Sequence, residues 1–178
     1  YGWTDDLFIK ISKTSKYKTE DIKALFPKGN KPLIEMYLKE INNKMNIDSK
    51  KLNLIRFRVH ERIRELIILR LKIMQKEKIL ITKTFYYLLM PQNYKLASKN
   101  LYKTLDQIWF LAGDNSTDFN FYTKRAILGS VYSATIIHFI NNNNINKTID
   151  VLNNKLKIVS KIPILKNRSK DIIKIIPQ

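Results

Sequence analysis

A chain of 178 residues that is 44% hydrophobic and 27% charged can build one domain with a sizeable core, and is too apolar for a disordered segment. It has no Cys, which excludes disulfides and thiolate chemistry, and its 4 Gly and 5 Pro are too few for an all-β chain of tight turns, so an all-α fold is expected. Lys and Arg outnumber Asp and Glu by 33 to 15, a net +18 that suits a polyanionic neighbour such as nucleic acid or an anionic membrane, although Lys, Ile and Asn are also the residues AT-rich coding favours.

Residues 1–12 read as the end of an amphipathic helix, with Trp3, Leu7 and Ile11 four apart on one face. A polar turn over 14–18 leads to a short helix over 19–26, with Thr19 as its cap and Ile22, Leu25 and Phe26 apolar. Pro27 to Lys31 is a break, and Pro32 suits the first turn of a helix carrying Leu33, Ile34, Tyr37, Leu38 and Ile41 towards Met45. Three short helices with these breaks resemble the helix-turn-helix unit of TetR-type regulators. The helix in the recognition position carries Glu20 and Asp21, which repel phosphates, and offers no Asn, Gln or Arg for base contacts. Residues 1–48 are therefore read as a degenerate helix-turn-helix region without sequence-specific nucleic-acid binding; a TetR-type DNA-binding regulator is the alternative.

A long helix is expected over 52–74, with Ile55, Val59, Ile63, Leu66, Ile67 and Met74 at helical period and Arg56, Arg58, Arg62, Arg64 and Arg70 as a solvated or ion-paired face. His60, within this run, has no companion nucleophile or ligand nearby, so it reads as structural. Residues 79–90 are apolar nearly all round, which marks a helix buried or walling a cavity, and Pro91 stops it. The next helix, 93–111, has Leu96, Leu101, Leu105, Ile108, Trp109 and Leu111 as candidate core.

Residues 109–135 are the most informative stretch. Gly113 is a natural C-terminal stop, the polar turn from Asp114 to Asp118 can cap a following helix, and that helix opens on Phe119, Phe121 and Tyr122 with Lys124 and Arg125 one turn on. Exposed aromatics beside Asp and Arg are the usual ingredients of an interaction hot spot, and a packed helical corner is the plainer reading. Ala112, Gly113, Asp114, Ser116, Thr117, Asp118, Phe119, Asn120, Tyr122, Thr123, Lys124, Arg125, Ala126, Leu128, Val131, Tyr132 and Thr135 make a pattern that resembles the ubiquinone-biosynthesis accessory family COQ9. Two departures stand out: Phe121 occupies a position where the family commonly has Trp, and Ile149 follows Thr148 where a Trp is usual.

After the signature one long helix continues through Ile127, Val131, Ile136 and Phe139. The four Asn from Asn141 end it, each being able to adopt the left-handed region. His138 near that end is read as structural, like His60. A further helix over 146–161 carries Val151, Leu152, Leu156 and Val159. Pro163 then breaks the chain, and 163–178 read as an amphipathic segment in which Ile172, Ile173 and Ile176 face a membrane and Lys166, Arg168, Lys170 and Lys174 its anionic headgroups; docking on the protein's own core is the alternative. No apolar run approaches the length of a membrane span, and no secretory signal is visible. No catalytic set is found: no H-E-x-x-H, no G-x-S-x-G and no phosphate-cradling glycine loop. Asp114 and Asp118 are better read as caps or ion-pair partners than as metal ligands.

The resemblance implies a TetR-like helical bundle, with residues 49–162 as its lipid-binding body. It implies no enzyme activity and no cofactor beyond a bound isoprenoid lipid or quinone precursor, presented to a COQ7-type hydroxylase. The partner patch it implies is Ile108, Trp109, Asp114, Asp118, Phe121, Tyr122 and Arg125. Phe85, Leu88, Leu89, Leu105, Leu128, Tyr132 and Ile136 would wall an enclosed apolar tunnel. By analogy with TetR-type proteins, the last two long helices would form a homodimer interface. The expected location is cytoplasmic, peripheral on a bacterial inner membrane, with the matrix face of the mitochondrial inner membrane as the alternative.

Overall fold

The computed structural model describes residues 2–4, 6–114 and 119–160, and those residues form eight α-helices, two 3-10 turns and no strand. The fold is all-α. The chain divides into two compact units, Tyr1–Asn115 and Ser116–Gln178.

The first unit begins with α1 (Asp6–Thr14), α2 (Thr19–Leu25) and α3 (Lys31–Ser49). Helix α1 does not bury the expected stripe: Phe8 is its buried side chain and Ile11 is exposed, because Phe8 turns inward to meet Phe26 with ring centroids 6.0 Å apart. Trp3 precedes the helix. It stacks at a tilt on Tyr37, 6.0 Å between centroids, and its indole N–H donates to Thr84 Oγ1 at 2.9 Å. Thr19 is not the cap of α2: Lys18 holds that position with extended backbone, and the Thr19 hydroxyl pairs with Ser12 Oγ at 2.7 Å. Ile22 is buried and Leu25 exposed. Glu20 and Asp21 stand exposed in the first turn of α2, where they complement the helix dipole.

Helix α3 follows its sequence pattern. Pro32 sits in the first turn, and Ile34, Leu38, Ile41 and Met45, spaced three or four apart, are all buried. Each such side chain contributes about 1.5–3 kcal/mol of transfer free energy. The stripe packs on α4 (Val59–Gln75) and α6 (Tyr94–Leu111).

Tyr37, on α3, donates to Glu77 Oε2 at 2.8 Å; burial first, then that carboxylate, push its phenol well above the ordinary value of 10.0. A raised pKa in the folded state means that folding favours the protonated phenol. Its contribution is complete below pH about 10 and is lost as pH rises beyond it. The melting temperature of the parent chain is therefore expected to fall more steeply between about pH 9 and pH 11 than that of Tyr37→Phe; parallel curves from a thermal titration would show that the phenol is not coupled to folding.

Helix α4 starts at Val59 rather than at residue 52. Residues 54–56 form a single 3-10 turn, Phe57 and Arg58 are extended, and the Glu61 carboxylate reaches back to accept the Arg58 backbone N–H at 2.8 Å, which fixes the start. His60 is exposed. Ile63, Leu66, Ile67, Leu71 and Met74 are buried, as is Arg70 at 1% exposure. The expectation that the arginines of this helix form a solvated or ion-paired face fails there. The Arg70 guanidinium donates to Asn42 Oδ1 from α3 and to Thr104 Oγ1 from α6, the latter at 3.3 Å. Gln107 Nε2 donates to the Asn42 carbonyl at 3.0 Å, completing a polar hub among three helices. Helix α5 (Lys78–Leu89) packs on α4 and α6, with Ile81, Thr84 and Leu88 buried, and a 3-10 turn at Pro91–Asn93 leads into α6.

The second unit contains α7 (Phe119–Asn141) and α8 (Ile145–Ser160), which pack on each other. Their link is made by side chains: Asn142 Oδ1 accepts the Asn144 N–H at 2.8 Å, and Asn144 Oδ1 accepts the Asn146 N–H at 2.9 Å and so caps α8. Asparagine capping, not left-handed backbone, breaks the helix, since no non-glycine among the described residues has positive φ. His138 Nδ1 and the buried Thr148 Oγ1 are 2.9 Å apart and tie the two helices together.

Candidate functional site

The first unit ends in a helix stop set by one glycine. Gly113 has φ 87°, its N–H donates to the Phe110 carbonyl at 3.0 Å, and the Asp114 N–H donates to the Trp109 carbonyl at 3.0 Å. This is a Schellman closure, which satisfies two carbonyls left over at the end of α6. Arg62, on the first turn of α4, adds a third donor: its Nη1 reaches the Ala112 carbonyl at 3.1 Å. A Cβ at position 113 would lie 3.1 Å from that Nη1. Gly113→Ala is therefore expected to lower stability by about 1–2 kcal/mol through the left-handed backbone alone, with Gly113→Asn milder; urea denaturation of both variants measures it, and an unchanged midpoint would remove Gly113 from the stop.

In the second unit the first turn of α7 presents the aromatic pair. Phe121 and Tyr122 meet edge to face with centroids 5.2 Å apart. Tyr122 is 67% exposed, while Phe121 is half-buried. Arg125, one turn on, lies with its guanidinium carbon 3.3 Å from the Phe121 ring centroid and donates Nη1 to the Phe121 carbonyl at 3.2 Å. Stacked there at 6% exposure, Arg125 is not an outward charge for a partner to meet; it braces the ring from behind.

Of the expected partner residues, Tyr122 is exposed, Phe121, Trp109 and Asp114 are half-buried, and Asp118 lies outside the described residues. Ile108 is fully buried on the inner face of α6 and cannot touch a partner in the folded chain. Phe110, which carried no assignment, is 74% exposed. The signal was present in the spacing, since a residue two positions from Ile108 on a helix faces away from it.

Of the expected lipid-wall residues, Leu88 on α5, Leu105 on α6, and Leu128, Tyr132 and Ile136 on α7 are buried. The last three form one stripe at four-residue spacing. Phe85 is half-buried, and Leu89 is 62% exposed at the end of α5. Two open basins of about 460 Å³ lie on the first unit: one is lined by Lys28, Lys31, Lys95 and Lys99 with Glu35, Pro32 and Leu96, the other by the lysine-rich turn between α1 and α2. The expected membrane-facing residues Lys166, Arg168, Lys170, Ile172, Ile173, Lys174 and Ile176 lie outside the described residues. No described helix is long and apolar enough to cross a membrane.

Comparison with known proteins falls on this same stretch. The family model COQ9 matches residues 94–163, from the start of α6 to just beyond α8. The mitochondrial ubiquinone biosynthesis protein COQ9 of Rattus norvegicus is 48% identical over 48 residues, 27% of this chain and 15% of that protein. Its Homo sapiens counterpart is 44% identical over 48 residues, again 27% of this chain and 15% of the relative. The mitochondrial ubiquinone biosynthesis protein coq9 of Schizosaccharomyces pombe is 31% identical over 139 residues, 75% of this chain. The matched part spans 53% of the fission-yeast protein's length and about a sixth of the vertebrate ones.

Proposed function

The chain belongs to the COQ9 family, and from that premise we propose that it serves ubiquinone biosynthesis as a non-catalytic lipid-binding accessory protein, presenting an isoprenoid quinone precursor to a COQ7-type hydroxylase at an anionic membrane surface. The observation that carries this reading is the opening of α7. A tyrosine two-thirds exposed, set edge to face on a phenylalanine that a buried arginine braces, is a rigid aromatic anchor that loses little freedom on docking. It lies inside the stretch matched by the family model. Accessory rather than enzymatic action accords with a sequence that offers no catalytic motif.

The lipid would lie against the apolar stripe of α7, of which Leu128, Tyr132 and Ile136 are the inward members. The relatives are named as mitochondrial proteins, which favours the matrix face of the inner membrane over the bacterial membrane given as the first expectation. Pairing into a homodimer through α7 and α8 belongs to the same proposal. Native mass spectrometry of the chain, expressed in a host that makes prenylated quinones, tests it. The expected spectrum carries one isoprenoid adduct per subunit that organic extraction removes; a folded, adduct-free subunit, also unable to take up added ubiquinone, would overturn lipid carriage.

A further inference from the structure

The junction between α3 and α4 carries a dense run of exposed apolar side chains. Ile55 is 87% exposed, Phe57 41% and Val59 44%, and Arg56 and Arg58 alternate with them in solvent, with Lys50 exposed at the end of α3. Three large apolar side chains projecting from five residues would be costly on a flexible loop and are more so on a held one. This one is held. Arg62 donates Nε to the Phe57 carbonyl at 2.8 Å, Nη2 to the Ile55 carbonyl at 3.4 Å and Nη1 to the Ala112 carbonyl at 3.1 Å, tying the loop to the end of α6. The Glu61 carboxylate fixes the Arg58 N–H. The apolar display is thus set by hydrogen bonds before anything binds.

We propose that residues 54–59 form a membrane-contact loop, with an anionic bilayer as its occupant. The charge is right: Arg56 and Arg58 make no ion pair among the described residues, and a guanidinium fork matches lipid phosphate geometry. The size is right as well. A stable protein interface takes roughly 20–30 residues a side, whereas a few apolar side chains ringed by basic ones suffice to enter the boundary between headgroups and acyl chains. Strand addition by a peptide is disfavoured, because Arg62 already occupies the Ile55 and Phe57 carbonyls. The inference stands apart from lipid carriage and from the C-terminal residues 163–178.

The absence of native cysteine gives a direct test in the full chain. Ile55→Cys, and separately Lys72→Cys as an exposed control on α4, are labelled with an environment-sensitive fluorophore and mixed with vesicles of phosphatidylcholine alone or of phosphatidylcholine with phosphatidylserine. The label at 55 is expected to shift to the blue and to be quenched by spin-labelled acyl chains with the anionic vesicles only, while the label at 72 stays aqueous. In the unlabelled parent background, R56Q/R58Q is expected to weaken partitioning on the order of tenfold or more, each basic residue near such a surface counting about fivefold, with the circular dichroism spectrum unchanged. Three results overturn the proposal: vesicle binding with the label at 55 still aqueous, no vesicle binding at all, or a shift that appears only when an acidic protein partner is added.

Discussion

Arg70→Ala is expected to lower the stability of the chain by about 3–4 kcal/mol, one of the largest effects of any single substitution in it. The guanidinium is 1% exposed and bonds side chains from α3 and α6, so its removal has two costs. It leaves a void the size of a long side chain between three packed helices. It also strips the guanidinium donors from the buried Thr104 Oγ1 and from Asn42 Oδ1, which keeps only the Thr104 hydroxyl at 3.4 Å, and a buried acceptor left without a donor costs about 1–3 kcal/mol. Arg70→Met separates the two, because methionine fills much of the space and donates nothing; about half the loss is expected to return. For a chain of this length, the alanine variant should melt roughly 8–15 °C lower. Calorimetry on both variants decides the point. A shift of only a degree or two for Arg70→Ala would mean that the helices close over the gap and that the hub is dispensable.

Tyr122→Ala is expected to weaken association with a COQ7-type hydroxylase by about 2 kcal/mol or more, some thirtyfold in Kd, while leaving the melting temperature where it was. The two halves of that expectation have separate grounds. A ring two-thirds exposed contributes little to the folded chain, so its loss should stay within about 0.5 kcal/mol of neutral. At an interface the same ring, already oriented against Phe121, would be fully desolvated, and truncation forfeits that burial. Phe121→Ala should weaken association too, but with a measurable drop in stability, since it removes the face on which Arg125 stacks. Surface-immobilised hydroxylase provides the measurement. Parent-like binding by both variants would strip α7 of its assigned role.

Much of this could be read before any coordinates because its causes are local. Pro32, Gly113 and Pro91 act on adjacent backbone and the asparagine run caps residues two positions on, and together they placed most helix ends within a residue or two. The α3 stripe from Ile34 to Met45 was legible because only one face of that helix is apolar. What failed depended on partners far away in sequence. Arg70 looks like its neighbours Arg56 and Arg64 until Asn42 and Thr104 arrive from other helices. The late start of α4 depends on Arg62 capturing carbonyls behind it. In the site, the aromatic opening of α7 was legible as a candidate anchor and Ile108 as core, whereas the inward turn of Arg125 was not, and the resemblance alone put Ile108 in the partner patch. Residue type suggests charge and apolarity, but only packing decides which way each points. Phe110 is the converse case, an aromatic in an apolar run that helix geometry forces outward.

The bond from the Trp3 indole to Thr84 links the start of the chain to the middle of α5, and Thr84 in turn donates to the Leu80 carbonyl of its own helix. A long apolar guest admitted beside α5 would shift that helix and break the indole bond, turning Trp3 into an optical gauge. With two tryptophans in the chain, a Trp109→Phe background would isolate its emission, and spectral drift on titration with prenylated quinone would follow loading in real time without any added dye.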